Sequence, residues 1–362
     1  MNEFLNKKAL IIYMGFIGNG GGVVTHAKHL SNILAEMGIE NKIFSMECIP
    51  GPLKYIFPLI ERLLNLIFPP IGFEVRMRLT KLYFDVFLRD NYDYYFFEDI
   101  YTVPRKFLNK SLIFIHSLKR DNLQNFRKIS KIALNRLYEL DINMIKRQKD
   151  RIYVVSDEYK NKVEKYYNIS NLKVFNNFIS YDYDNYIDWG NKDNYILFVG
   201  NLENRKNPIF VINVMEELKK MDINFKLYII GREKEITKKM LNKIVYQKHL
   251  EENVEVLGKL DNKDVLNIMR KSKAFVLPSL WESFGFVFLE AKLNGCIVVS
   301  NINLDVPKDL VDYEIELDEK KWSKTLYQIL SASNDIIKKS NLDKYKKDYA
   351  INFLVTQLKK LS

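Results

Sequence analysis

With only two cysteines, four histidines and nine prolines among 362 residues, the chain leaves out several classes of protein at once. Cys48 and Cys296 stand far apart in apolar stretches, which excludes a disulfide framework and fits a reducing compartment, the cytoplasm. His26 and His29 are three apart on a helical stretch with no cysteine or carboxylate cluster beside them in sequence. That pattern favours one buried and one exposed helix histidine over a metal site, so no metal is expected. Long apolar runs are missing too. The first apolar run, "ALIIYMG", passes directly into a glycine-rich loop, unlike the core of an export signal, so export is not expected. "YIFPLIERLLNLIFPPIGF", residues 55 to 73, is interrupted by Glu61, Arg62 and three prolines. Such a segment can lie on a bilayer, or its residues 55–68 can pack as a core helix, but it cannot cross a membrane. Internal repeats of solenoid length and low-complexity tracts are also absent.

What remains is the composition of a folded protein, 47% hydrophobic and 28% charged, long enough for two cores. The net charge of +11 is uneven: residues 105 to 151 carry thirteen Lys and Arg against four acids, a local net of +9. A face of this kind draws nucleic acid, anionic lipid headgroups or a phosphorylated substrate, or is simply solvated. No recognition helix or RNA-binding motif accompanies it, which argues against nucleic acid.

Apolar runs of strand length alternate with helical periods almost to the end, the signature of parallel βαβ units. Strands are expected at residues 9–15, 41–45, 94–98, 112–116, 151–156 and 172–177, then again at 195–201, 226–231, 254–258, 273–278 and 296–300. The polar and aromatic stretch between the two series reads as a linker. The expected organisation is an N-terminal Rossmann-like domain over 1–180, a linker over 181–194, a C-terminal Rossmann-like domain over 195–334, and a C-terminal helix over 335–362 that packs back toward the first domain.

Open parallel sheets bind ligands outside the carboxyl ends of their strands, and two such lobes facing each other would enclose a cleft. Four features stand at such ends. Gly18, Gly20, Gly21 and Gly22 follow the first strand and precede a helix, where glycine lets backbone approach a ligand. This is neither a Walker A loop nor a close match to G-x-G-x-x-G. His116 ends the strand "LIFIH". Arg205 and Lys206 sit in the loop "FVGNLENRKNP", where cations can pair with a diphosphate. In "VLPSLWESFGFVFLEAKLNG", the amides around Gly285, Phe286 and Val287 open a helix and favour an anion, while Glu282 and Glu290 lie on either side of that opening. "DYD" at 182–184 resembles a metal-binding DxD but falls in the linker, not after a strand, and is discounted.

The stretches "PSLWESFGFVFLEAKLNGCIVVS", "VEVLGKLDNKDVLNIMRKSKAFVLPS", "FVGNLENRKNP", "VFNNFIS" and "GGVVTHAKHLSNILAEMG" together resemble the retaining family 4 glycosyltransferases. The resemblance covers the whole second lobe and scattered parts of the first. It implies the GT-B fold, an α/β architecture of two Rossmann-like, doubly wound parallel-sheet domains facing across a cleft. It also implies a metal-independent, cofactor-free transfer of a sugar from a nucleotide-diphosphate donor, with 1–180 as the acceptor-binding domain and 195–334 as the nucleotide-sugar-binding domain. By resemblance, Lys206 meets the donor diphosphate, Glu290 the ribose, and Glu282 and His116 the sugar. Gly285, Phe286 and Val287 face sugar and phosphate from one side, Gly21 and Gly22 from the other. Asn201 stands where the family usually has an arginine, Asn207 where it has glycine, and Arg205 lies nearby as a substitute cation. Residues 53–73 and the basic segment suggest a glycan or polyprenyl-diphosphate-linked acceptor, an anionic membrane surface as partner, and a location on the inner membrane face. The alternatives are a non-catalytic glycosyltransferase-like partner subunit and a GT-B nucleotide-sugar epimerase.

Overall fold

The computed structural model describes residues 4–121, 130–181, 189–332 and 341–361. The chain divides into two compact units, one of Met1–Tyr181 with Leu342–Ser362, the other of Asp182–Asn341. "DYD", Arg127, Lys128 and half of the expected linker lie outside the described residues.

The first unit is built on six parallel strands: β1 (Lys8–Ile12), β2 (Glu40–Phe44), β3 (Tyr94–Phe97), β4 (Ser111–Ile115), β5 (Ile152–Val154) and β6 (Lys173–Val174). Their order in the sheet is β2-β1-β3-β4-β5-β6. The helices are α1 (Gly22–Glu36), α2 (Leu53–Ile67), α3 (Pro69–Phe87), α4 (Lys131–Gln148) and α5 (Asp157–Tyr167). Because side chains alternate across a strand, Ala9 and Ile11 of β1 join one apolar cluster with Ala27, Leu30 and Ile33 of α1. Leu10 and Ile12 join the opposite cluster with Phe84, Ile142 and Tyr159. Both faces are thus covered, as a parallel sheet requires. The closing segment of the chain returns to this unit as a helix over Lys347–Leu358, numbered α11 below, whose Ala350, Leu354 and Leu358 are buried in the α1 cluster. Its Phe353 stacks on Phe175 at 4.5 Å and meets Tyr153 edge-on at 5.3 Å.

The second unit repeats the plan with β7 (Asp193–Val199), β8 (Lys226–Ile230), β9 (Val254–Gly258), β10 (Ser272–Leu277), β11 (Ile297–Asn301) and β12 (Tyr313–Ile315) in the order β12-β11-β10-β7-β8-β9. Between them run α6 (Pro208–Lys219), α7 (Lys238–Gln247), α8 (Asn262–Lys271), α9 (Phe286–Leu293) and α10 (Glu319–Ser331). Lys192, just before β7, is buried with its ammonium donating to the carbonyls of Arg270, Ser272 and Asn294 at 2.7 to 2.9 Å.

Several expectations are corrected. β1 stops at Ile12 because the loop to α1 starts earlier, and β6 is only two residues long. β12 was not expected, since three residues are too few for a period to register. Helix α2 ends at Ile67, close to the expected 55–68; the chain turns at Phe68 and restarts at Pro69, where proline opens α3. Yet α2 is not a core helix. Phe57 alone of its described side chains is fully buried, while Leu66 and Ile67 are each 81% exposed. Cys48 is exposed rather than sheltered by the apolar residues beside it in sequence. Among the described residues no helix is long and apolar enough to cross a membrane. Three cations of the basic segment are matched by acids from outside it: Lys110 by Asp90, Lys119 by Glu61 and Arg136 by Glu74.

Candidate active site

In the second unit the chain leaves β7 toward β8 and β9 on one side, then returns to β10 for β11 and β12 on the other. The carboxyl ends of β7 and β10 are therefore the switch point, where the divergent loops leave room for a ligand. Arg205 and Lys206 follow β7, and Glu282 follows β10, so strand pairing joins residues 76 and 77 positions apart. One carboxylate oxygen of Glu282 accepts from the Lys206 ammonium, from Arg205 at 2.9 Å and from the Ser279 hydroxyl at 2.9 Å. Burial by itself would raise the Glu282 carboxyl, but Lys206 and Arg205 outweigh it and hold it below the usual range. The network continues through Arg205 to Glu203 at 2.7 Å and on to Lys234 at 3.0 Å.

Two backbone features shape these loops. Asn207 has φ 56°, a left-handed conformation that asparagine tolerates better than most side chains. At Gly231 a Cβ would lie 1.7 Å from the carbonyl oxygen of Gly200, so the ends of β8 and β7 approach as closely as only glycine allows. Gly285 precedes α9 at φ 69°. As glycine, Gly285 offers no side-chain cap to α9, and the dipole of such a helix opening favours an anion. Glu290 lies one turn further along that helix. Burial pushes its carboxyl up to about 7, and among the described residues no donor reaches its carboxylate oxygens.

In the first unit the switch point lies between β1 and β3. Gly20 and Gly21 turn the chain at φ 66° and 107°, and α1 begins at Gly22 without a side-chain cap. His116 follows β4 directly, and its Nε2 lies 2.6 Å from Glu98, which follows β3. His26, from α1, places Nδ1 2.9 Å from the same carboxylate oxygen. Both His26 and His29 are buried, correcting the expectation of one exposed ring. The expectation that no carboxylate stands near His26 is also corrected, since Glu98 arrives from a strand 72 residues away. These three groups converge within 4.8 Å. Two ligands of one tetrahedral zinc would sit about 3.3 Å apart, so contacts of 2.6 and 2.9 Å are those of hydrogen bonds. Burial alone would raise the Glu98 carboxyl, but the His26 and His116 donors bring it down to about 2. Burial lowers His116 despite this hydrogen bond.

Residues 183–348 match the family model described as glycosyl transferases group 1. Over this stretch, somewhat under half of the chain, the sequence is similar to the glycosyl transferases group 1. The chain is similar to a capsular polysaccharide biosynthesis glycosyltransferase, CapH, of Staphylococcus aureus, with 31% identity over 40% of this chain and 42% of the relative. It is also similar to the Escherichia coli UDP-Gal:alpha-D-GlcNAc-diphosphoundecaprenol alpha-1,3-galactosyltransferase, 31% identical over 32% of this chain and 30% of the relative. The matched stretches thus span less than half of these relatives' length. Among solved structures, sucrose-phosphate synthase from Thermosynechococcus elongatus superposes with a TM-score of 0.70 at 13% identity, covering 98% of this chain and 99% of that one. The fold is GT-B, with two parallel six-stranded sheets.

Within the matched stretch, strand order brings together Arg205, Lys206 and Glu282, while Gly285, Phe286, Val287 and Glu290 form the opening of one helix. In the first unit Gly21, Gly22 and His116 lie at the ends of β1 and β4, two strands separated by β3. Sequence reasoning missed Glu203, Ser279 and Glu98. The signal for Glu98 was present: a carboxylate at the carboxyl edge of the run "YYFFE", the same position that singled out His116. Counting it as the last strand residue hid it.

Proposed function

We propose that the protein is a retaining, metal-independent glycosyltransferase of hexosyltransferase type. It moves a sugar from a nucleotide-diphosphate donor to a lipid-linked glycan in surface polysaccharide or glycolipid assembly. The observation that carries this reading is the cluster at the second switch point, where two cations share the Glu282 carboxylate close in sequence to an uncapped helix opening. A departing diphosphate needs preorganised positive charge where its own charge develops. Lys206, Arg205 and Lys234 against Glu282 and Glu203 leave one net positive charge, and the amides of Gly285, Phe286 and Val287 add their dipoles. Arg205 fills the role left by Asn201, since it meets the same carboxylate oxygen as Lys206.

In this reading Glu290 accepts the ribose hydroxyls and Glu282 positions the sugar; within the first unit, His116 is the group that meets a sugar hydroxyl, and Gly21 and Gly22 leave backbone open to a phosphate. A donor phosphate oxygen takes the acceptor hydroxyl proton as the glycosidic bond to the diphosphate breaks and the new one forms on the same face. No cofactor is required. Support for a diphosphate-linked lipid acceptor comes from the name of the Escherichia coli relative and from the exposed apolar residues of α2, which suit an anionic membrane surface on the cytoplasmic side.

The test is nucleoside diphosphate release from UDP-, GDP- and ADP-sugars, with and without membrane lipid extract, by wild type, Glu282→Ala and Glu290→Ala. Acceptor-stimulated release from one donor, lost in both variants, is expected. Donor binding without release under every condition would overturn the enzyme reading in favour of a non-catalytic partner subunit, which Asn201 in place of arginine would then explain. Product epimerised at the sugar without transfer would indicate an epimerase.

A further inference from the structure

We infer that Glu98 is a positioning residue that holds His116 in the Nε2–H form, so that Nδ1 is left as a hydrogen-bond acceptor for a hydroxyl of the bound sugar. The role given to His116 rests on the transferase reading; the geometry around it does not. Glu98 is 5% exposed, follows β3, and sits between a ring from α1 and a ring that follows β4. One oxygen of its carboxylate lies 2.9 Å from His26 Nδ1 and 2.6 Å from His116 Nε2. An ionised carboxylate only accepts, so each of these nitrogens must carry its proton. Among the described residues His26 Nε2 finds no partner, so that ring serves the carboxylate alone.

The consequence for His116 is directional. With Nε2–H committed to Glu98, Nδ1 keeps its lone pair in the neutral ring, and among the described residues no donor meets it. A carboxylate fixing the tautomer of an imidazole is the general device by which a histidine is aimed at a substrate. Aromatic packing adds rigidity: the His26 ring lies 4.8 Å from that of His116 and 4.9 Å from that of Phe114, both edge-on. Free rotation of either ring would break the pair of hydrogen bonds.

The experiment reads the tautomer directly. The chain has four histidines, so long-range proton–nitrogen spectra of the full-length protein labelled with 15N-histidine can be assigned by replacing His29, His116 and His249 in turn, the His116 signals being those lost in its own variant. At pH 7.5 wild-type His116 should show a protonated Nε2 and an unprotonated Nδ1. Glu98→Gln, whose amide can donate as well as accept, should give a mixture of both tautomers. Glu98→Asp should retain part of the wild-type pattern. A wild-type His116 protonated at Nδ1, or a pattern unchanged in Glu98→Gln, overturns the inference. The wild-type spectrum decides even if the variant fails to fold. Shifts of both rings on adding one equivalent of zinc would overturn it in favour of a metal centre.

A second arm uses UDP-glucose, UDP-galactose and UDP-N-acetylgalactosamine. Glu98→Gln should lower kcat by about tenfold or more while UDP binding changes by less than about twofold, because UDP lacks the sugar. Equal loss of UDP binding would mark a merely structural role. If wild type turns over no nucleotide sugar while the tautomer is as expected, the transferase reading fails and the role of Glu98 as tautomer anchor stands.

Discussion

Glu290 shows how one residue can trade stability for binding. Burial raises its carboxyl from the usual 4.5 to about 7 in the folded chain. Between those values the folded chain holds a proton that the unfolded chain has released, so the stability associated with this group falls as pH rises from about 4.5 to about 7 and is then level. Glu290→Gln should therefore stabilise the protein by about 1 to 3 kcal/mol at pH 8 and by nothing measurable at pH 4, read from urea midpoints, while weakening nucleotide binding. Glu282 behaves in the opposite way. Its carboxyl is depressed in the folded chain, so its contribution is present above the unfolded value of 4.5 and fades as pH falls through the lower folded value. Glu282→Ala leaves Lys206, which is buried, without its carboxylate and should cost about 3 to 5 kcal/mol at neutral pH, less at pH 3. An activity loss in that variant should accordingly be judged against its thermal unfolding.

At the scale of elements, α2 is the feature that the fold by itself does not require. It presents Tyr55, Leu59, Leu63, Leu66 and Ile67 outward, and its neighbour α3 exposes Leu82, Val86 and Phe87. Arg76 ties the two helices together through Glu61 at 2.6 Å and reaches the Met14 carbonyl at 2.8 Å, so the apolar side chains stand on a fixed hairpin. If this face meets a bilayer, replacing Leu66 and Ile67 together by serine should abolish flotation with anionic vesicles. Because both side chains are exposed, the same change should alter folding stability by less than about 0.5 kcal/mol. Unchanged flotation, or none in the wild type, would remove the membrane from the proposal and leave a soluble acceptor. Short elements are governed differently: β6 and β12 exist because neighbouring strands offer them a ladder, not because two or three residues favour extended backbone.

For the whole molecule, the consequential fact is that the first unit is completed by the last segment of the chain. Leu354 is fully buried against α1 and the first sheet, and the Ile179 amide donates to the Tyr345 carbonyl at 3.1 Å. Leu354→Ala should cost about 2 to 5 kcal/mol. Hydrogen exchange should locate that loss in β1 to β6 and spare β7 to β12, because the helix belongs to the first unit. Acceleration spread evenly over both sheets would show that the units unfold as one.

How much of this was legible depends on how local each feature is. The alternation of apolar runs and helical periods determined the two parallel sheets, because strand and helix periods are properties of a dozen residues at a time. The opening of α9 was equally readable, since Gly285 and Glu290 lie within six residues. The partners of the charged groups were not. Lys206 meets Glu282 across 76 residues because β7 and β10 are neighbours, and His26 meets Glu98 across 72 because α1 follows a strand adjacent to β3. Likewise, the sequence shows only that residues 55–73 are apolar; whether they face the core or the solvent depended on the break at Phe68 and on the packing of α2 against α3. Periodicity is written along the chain, whereas strand order and burial are settled only when distant segments compete for the same neighbours, and that competition placed each charged group of the site.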